Sequence, residues 1–360
     1  MIIKNIYLEN YRNYNKLNLS FNKNINIFIG NNAQGKTNLL EAIYLSSMAK
    51  SFRTNNSGEL VNFNCDYSKI IINALEEDID KKIEIVINKN SKKSIKKDGK
   101  TINKISELLN NVRVVIFSPD DLDIVKSDPS IRRDFINREL CQLKPNYYNA
   151  LINYNKLIKQ KNILLKDINK DINLLDILDT QISKYGALIV KYRKLFCCEL
   201  DYISKRIQND LTKGKENIEI KYLSNIENLK EEEIYNKILN NRNKEIEKGY
   251  SIIGPHRDDF DIFINSINVK KYGSQGQQRT CALTIKLSEI EIIKKETGTE
   301  PILLLDDVLS ELDNERQNLL IEKISDIQLF ITTTEIPWQY KEKKDINIVK
   351  IKEGKIIDMD

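Results

Sequence analysis

The chain has 360 residues, 41% hydrophobic and 30% charged, with 57 basic against 52 acidic side chains. That balance excludes a disordered or fibrous polymer and predicts two domains, or one large domain with an insertion. A net charge of +5 permits a polyanionic partner without arguing for one. No apolar run approaches the roughly 20 residues that cross a bilayer. Residues 1–23 lack the charged start and apolar block of a signal peptide, so a cytoplasmic protein with no membrane association is expected. Cys65, Cys141, Cys197, Cys198 and Cys281 form no CxxC pair, which predicts free thiols.

From the N-terminus, residues 3–8 and 17–21 predict two strands. Leu17, Leu19 and Phe21 alternate with Asn18, Ser20 and Asn22 at the period of a half-buried strand. The apolar run Ile25, Ile27, Phe28 and Ile29 leads into Gly30, Asn31, Asn32, Ala33, Gln34, Gly35, Lys36 and Thr37, and residues 38–49 continue as a helix without proline or glycine. Strand, glycine-bounded loop and helix in that order is the layout of a phosphate-binding P-loop, where loop amides and a helix N-terminus converge on one anion. A nucleoside triphosphate is therefore expected. Gly30 and Gly35 let the backbone wrap closely, Lys36 reaches the β and γ phosphates, and the Thr37 hydroxyl ligates magnesium. The competing reading is a glycine turn with a surface lysine.

Residues 70–74 and 83–87 predict two more strands, and KDGK at 97–100 places Asp98 and Gly99 at the centre of a tight hairpin turn. The middle of the chain changes character. From about 128 to 209 turn residues are scarce after Pro145, and Leu175, Leu178, Ile182, Tyr185, Ile189, Tyr192 and Phe196 recur at steps of three and four. This predicts a helical arm or bundle, followed by a short strand at Ile218, Ile220 and Tyr222. No heptad is sustained long enough for an extended coiled coil.

The last third returns to alternating strands and helices. Small residues and amides in GSQGQQRT (273–280) precede a helix whose face is Leu283, Leu287 and Ile290, so a second helix N-terminus offers an anion site. Pro301 is followed by Ile302 to Leu305 and then Asp306 and Asp307; four consecutive apolar residues predict a strand buried on both faces, with two carboxylates at its carboxyl end. Asp306 is expected to hold Mg2+ and Asp307 to orient or deprotonate the attacking water. Two anion-binding helix starts for one nucleotide are reconciled if Ser274 and Gly276 close over a nucleotide held by the P-loop of a second copy. The expected organisation is a discontinuous core of residues 1–125 and 250–360 and a mainly helical inserted domain of residues 126–249.

These motifs resemble the ABC-type ATPases of the SMC and RecF group, and the RecF family in particular along nearly the whole chain. The resemblance is carried by LENYRNY (8–14), GNNAQGKTNLLEAIY (30–44), KSFRT (50–54), IFSPDDL (116–122), PSIRRDFIN (129–137), GPHRDDF (254–260), GSQGQQRT, LLLDDVLSELD (303–313) and ITTTE (331–335). It implies an α/β ABC-type ATPase head with a mixed sheet around the P-loop. It further implies an ATP- and Mg2+-dependent homodimer that binds gapped or stalled-fork DNA, hydrolyses ATP slowly to release itself, and helps RecO and RecR load the recombinase RecA. Ser274 to Gln277 takes the place of the signature loop on the partner's γ-phosphate and residues 310–313 that of the D-loop; Arg12 and Arg53, near the P-loop in sequence, take those of nucleotide contacts, with surface salt bridges as the alternative.

Four departures qualify the match. Asp307 stands where most ABC ATPases have glutamate, which predicts slow turnover and agrees with the RecF choice. Residues 332–334 lack the switch histidine, and the single His256 lies elsewhere, where a structural role is favoured. Asn137 replaces an aspartate expected after the two arginines. Residues 117–121 carry no glutamine at the Q-loop position. For DNA, Lys89, Lys92, Lys93, Lys96, Lys97 and Lys100 suit phosphate contacts or a lysine-protected sheet edge, and Arg132 and Arg133 suit phosphate or acidic partners. A transporter subunit or a metabolic P-loop kinase shares the Walker motifs but not the helical insert with GSQGQQRT.

Overall fold

The structure, a computed structural model, describes residues 1–359 except 23, 91–92, 170, 228, 325, 338–339 and 341–345. The chain forms two compact units, Met1–Asp121 with Glu289–Asp360, and Leu122–Ser288. The boundary expected at 250 moves to 288, while the one expected at 125 falls within a few residues of 121.

The first unit opens with β1 (Ile2–Tyr11), β2 (Tyr14–Ser20), β3 (Ile25–Ile29), α1 (Lys36–Met48), β4 (Tyr67–Glu76), β5 (Ile79–Asn88), β6 (Ser94–Lys97), β7 (Lys100–Ile102) and β8 (Val114–Phe117). Alternation along β4 turns Ile70, Ile72 and Ala74 inward, and β2 does the same with Leu17 and Leu19. Six strands pair in the order β2-β1-β4-β5-β6-β7, all antiparallel. The β6–β7 turn is the expected one, with Asp98 and Gly99 both at positive φ (50° and 80°), as a two-residue hairpin of this twist requires.

The second unit contains α2 (Asp123–Lys126), α3 (Pro129–Leu143), α4 (Pro145–Lys166), α5 (Ile172–Thr212), β9 (Ile218–Leu223), α6 (Glu231–Lys248), β10 (Asp259–Ile264), β11 (Ile267–Asn268), α7 (Val269–Tyr272) and most of α8 (Gln275–Thr297). Residues 250–288 belong here because β10 pairs with β9 over six antiparallel positions and packs on α3. Periodicity in the sequence marks helices and strands but not which sheet a strand joins. The 41-residue α5, about 60 Å long at 1.5 Å per residue, starts on an Asp171 cap and buries Leu175, Leu178, Ile182, Ile189 and Phe196 on one stripe. Fully buried Lys161 of α4 bridges Asp179 of α5 at 2.5 Å and Glu245 of α6 at 2.6 Å, and Arg242 adds Asp176 and Asp179 at 2.7 Å.

The chain re-enters the first unit through the end of α8 and adds β12 (Ile302–Asp306), α9 (Asn314–Lys323), β13 (Leu329–Thr333), β14 (Ile346–Lys352) and β15 (Lys355–Met359). A second sheet runs β15-β14-β3-β13-β12-β8, parallel except for β15. Ile302 to Leu305 are at most 1% exposed, as a strand covered on both faces must be. Because β3, β13 and β12 are parallel neighbours, the loop after β3 and the acids ending β12 leave the sheet at the same edge. Helix α1 packs against strands of both sheets and joins them in one apolar core. Among the described residues, no helix is long and apolar enough to cross a membrane.

Candidate functional site

At that sheet edge, residues 32–38, Arg53 and Asp307 line a cavity of about 370 Å3. The loop adopts the tight backbone its glycines permit. Gly35 lies at φ 113°, and a Cβ on Gly30 would collide with the carbonyl oxygen of Ile351. Lys36 folds back over its own loop, donating to the Gly30 carbonyl at 2.6 Å and the Asn31 carbonyl at 3.2 Å.

Two hydroxyls meet at Asp306. Its Oδ1 accepts from the Thr37 hydroxyl at 2.9 Å and from the Thr332 hydroxyl at 2.6 Å. Thr332 in turn accepts the Asp307 N–H at 3.0 Å, so one hydroxyl from β13 couples the two acids. Asp307 sits in the left-handed region (φ 54°), an arrangement a non-glycine residue holds only when its surroundings enforce it. The Thr332 contact and the Ser310 hydroxyl on the Asp307 carbonyl at 2.7 Å supply that enforcement. Burial raises the Asp307 pKa, Lys36 opposes the rise, and the neighbouring Asp306 charge adds to it. A carboxylate shifted this way is a stronger base than a free aspartate. Hydroxyl plus carboxylate oxygens are the donors a hard divalent cation takes, so Thr37 and Asp306 fit Mg2+.

Glu41 is the side chain that sequence reading missed. Fully buried on α1, it accepts Arg12 through Nε and Nη2, both at 2.8 Å, the Tyr11 hydroxyl at 3.0 Å and the Ser51 hydroxyl at 2.5 Å. Burial alone pushes its carboxyl up, but the Arg12 and Ser51 hydrogen bonds outweigh that and hold it below the usual range. Ser51 also accepts the Arg53 N–H at 2.9 Å, and the Arg53 side chain reaches Asn38 at 2.8 Å, which sets it on the cavity wall. Arg12, expected as a nucleotide contact, does not line the cavity; its guanidinium is spent on Glu41 and the Glu59 carbonyl. A glutamate inside the apolar run LLEAIY was the available signal.

In the second unit, Ser274 caps α8. Its hydroxyl accepts the Gln277 N–H at 3.2 Å while Gln277 Oε1 accepts the Ser274 N–H at 3.0 Å, a reciprocal capping box. The helix therefore starts at Gln275, earlier than the eight-residue loop expected, and Gly276 lies in its exposed first turn. S-x-x-Q ahead of an apolar face was the signal.

His256 is held on both nitrogens. Nε2 faces the Ser251 carbonyl at 3.0 Å and must carry the proton, leaving Nδ1 to accept from the buried Tyr154 hydroxyl at 2.6 Å. Burial lowers its pKa to about 4. Arg132 is buried and bidentate to Asp259 at 2.6 and 2.9 Å, and Arg133 donates to the Asp258 carbonyl. Asn137 accepts from Tyr147 at 2.6 Å and from Arg193 at 2.8 Å, roles a neutral amide fills. Of the hairpin lysines, Lys93 donates to the Ala49 carbonyl and Lys89 to the Phe63 carbonyl, Lys96 and Lys100 are exposed, Lys97 is half-buried, and Lys92 lies outside the described residues. All five cysteines are free.

A family model for the RecF/RecN/SMC N terminal domain matches residues 2–357. A relative from Clostridium tetani, named DNA replication and repair protein RecF, is 46% identical and covers 99% of this chain and 100% of its own length. One of the same name from Clostridium perfringens is 48% identical over 93% of this chain and 94% of its own. The solved structure of a recombination mediator protein RecF with ATP, of the RecFOR pathway, superposes with TM-score 0.92 at 36% identity, covering 99% of this chain and 97% of that one. An Smc head domain from Pyrococcus furiosus, at 16% identity and TM-score 0.55, covers 99% of this chain and 96% of that one and shares the fold.

Proposed function

The chain belongs to the RecF family of the RecF/RecN/SMC group, and on that premise we propose that it is a slow ATPase whose nucleotide cycle times its residence on DNA. One observation carries the reading: Asp306, buried with Thr332, takes a hydrogen bond from Thr37, which lines a P-loop cavity together with Lys36 and Asp307. The amides of residues 31–35 and the N-terminus of α1 bind the phosphates. Lys36 exchanges the Gly30 and Asn31 carbonyls for phosphate oxygens, and Arg53 adds a second cation from the wall. Thr37 and Asp306 hold Mg2+, which neutralises charge developing on the phosphates. Asp307 orients the attacking water and accepts its proton, with the backbone fixed through Thr332. Its side chain is one methylene shorter than glutamate, which makes positioning less tight and turnover slow.

Completion of the site takes a second copy. Ser274 and Gly276 present a capped, exposed N-terminus of a 23-residue helix, and Gln277 braces it, an anion acceptor suited to the γ-phosphate on the partner's P-loop. ATP thus joins two chains and hydrolysis parts them. The dimer acts at gapped or stalled-fork DNA with RecO and RecR to load RecA. Exposed Lys96 and Lys100 and half-buried Lys97 are the hairpin residues that suit phosphate contacts; Arg132 is not. Filter binding of gapped DNA tests this: ATP raises retention in the wild type and fails to do so in Ser274→Arg, whereas retention indifferent to ATP rejects the reading.

A further inference from the structure

The loop that grips phosphate is itself gripped from behind. In the β14–β15 turn the Glu353 N–H donates to Gln34 Oε1 at 2.6 Å, and the Gly354 N–H donates to the Gln34 carbonyl at 3.0 Å. From the β1–β2 turn, Asn13 Nδ2 donates to that same carbonyl at 3.0 Å, while Asn13 Oδ1 accepts from Asn38 of α1 at 2.9 Å. Space is tight on both sides. A Cβ on Gly354 would run into the Asn13 carbonyl oxygen, and one on Gly35 would meet the Asn13 amide.

Among the described residues the peptide bonds are trans, and in a trans peptide the C=O and the following N–H point in opposite directions. Two donors on the Gln34 carbonyl therefore fix where the Gly35 N–H points. Gly35 lines the cavity. We infer that Asn13 and the Glu353–Gly354 turn are positioning residues, a clasp on Gln34 that presets the Gly35 amide toward bound phosphate without touching nucleotide. The last two strands of the chain thereby act on nucleotide affinity. This rests on the nucleotide reading of the cavity.

The clasp acts on binding and leaves Thr37, Asp306 and Asp307 where they are, so it predicts a split between KM and kcat. Full-length wild type, Asn13→Ala, Gln34→Met and Gly354→Ala are titrated with fluorescent ATP and ADP analogues and assayed for phosphate release, alongside nucleotide-free melting temperatures. The expected result is a loss of about tenfold in affinity for both nucleotides, an unchanged ATP-to-ADP ratio, and a raised KM at constant kcat. Asn13→Ala and Gln34→Met add no strain, so the test survives if Gly354→Ala misfolds. Folded Asn13→Ala and Gln34→Met with wild-type affinity overturn the clasp, as does affinity that merely follows melting temperature. Wild type that binds neither nucleotide overturns the cavity reading and the clasp with it, a result distinct from failure of the variants alone.

Discussion

Two lysines, one in each unit, show how the same side chain serves opposite ends. Lys161 is fully buried between Asp179 and Glu245, charges of opposite sign that stay in place whatever the protein binds. Lys36 is almost as buried, yet its hydrogen bonds go to loop carbonyls, and the acid whose charge it senses, Asp307, lines the same cavity instead of closing an ion pair on it. A buried cation locked between two acids serves the fold, whereas one hydrogen-bonded only to carbonyls beside a cavity is free to exchange them for an anion.

Substitution sharpens the contrast, because each lysine should fail in a different assay. Lys36→Met should weaken ATP binding on the order of 1,000-fold, with the nucleotide-free melting curve unmoved; titration with a fluorescent ATP analogue reads it. Lys161→Met leaves buried Glu245 without its cation and Asp179 with Arg242 alone, and should cost about 3 kcal/mol, read as a lower urea midpoint, with ATP affinity retained wherever the chain is folded. Should Lys161→Met lose ATP affinity while folded, the separation of roles is wrong.

Half-buried His256 supplies a third, pH-dependent arm. Its pKa is depressed to about 4 in the fold from about 6.5 unfolded, so between those values the unfolded chain binds the extra proton and stability falls as pH drops. The loss approaches roughly 3 kcal/mol near pH 4 and is absent above pH 7. His256→Gln should remove that part of the slope in urea melts at stepped pH, leaving the carboxylate contribution.

The smallest effect tests the link between the two acids. Thr332→Val keeps the shape but removes both the donor to Asp306 and the acceptor for the Asp307 N–H. Phosphate release at saturating ATP should fall about tenfold while affinity changes little.

Much of the site was legible because its chemistry is local in sequence. The loop from Gly30 to Thr37 and the run from Ile302 to Asp307 each carry their own flanking strand and spacing, and the Asp98–Gly99 turn needs only two residues to declare itself. What escaped depends on long-range meeting. Thr332 looked like a missing switch histidine, and only the β12–β13 register puts its hydroxyl on Asp306. Arg12 looked like a ligand contact by family resemblance and because it lies near the P-loop in sequence, yet a buried acid 29 positions on takes its Nε and Nη2 and the Glu59 carbonyl its Nη1. Residues 250–288 alternate like a core segment, but pairing of β10 with β9 assigns them to the helical unit. The clasp on Gln34 joins positions more than 300 residues apart through backbone amides, which no residue identity announces.

The central claim is that ATP is shared between two chains, and sedimentation velocity of Asp307→Asn tests it most directly. With ATP and Mg2+ at micromolar protein, the variant should run as a stable dimer, return to monomer when nucleotide is removed, and stay monomeric when Ser274→Arg is added. A variant that binds ATP yet sediments as a monomer throughout contradicts the account.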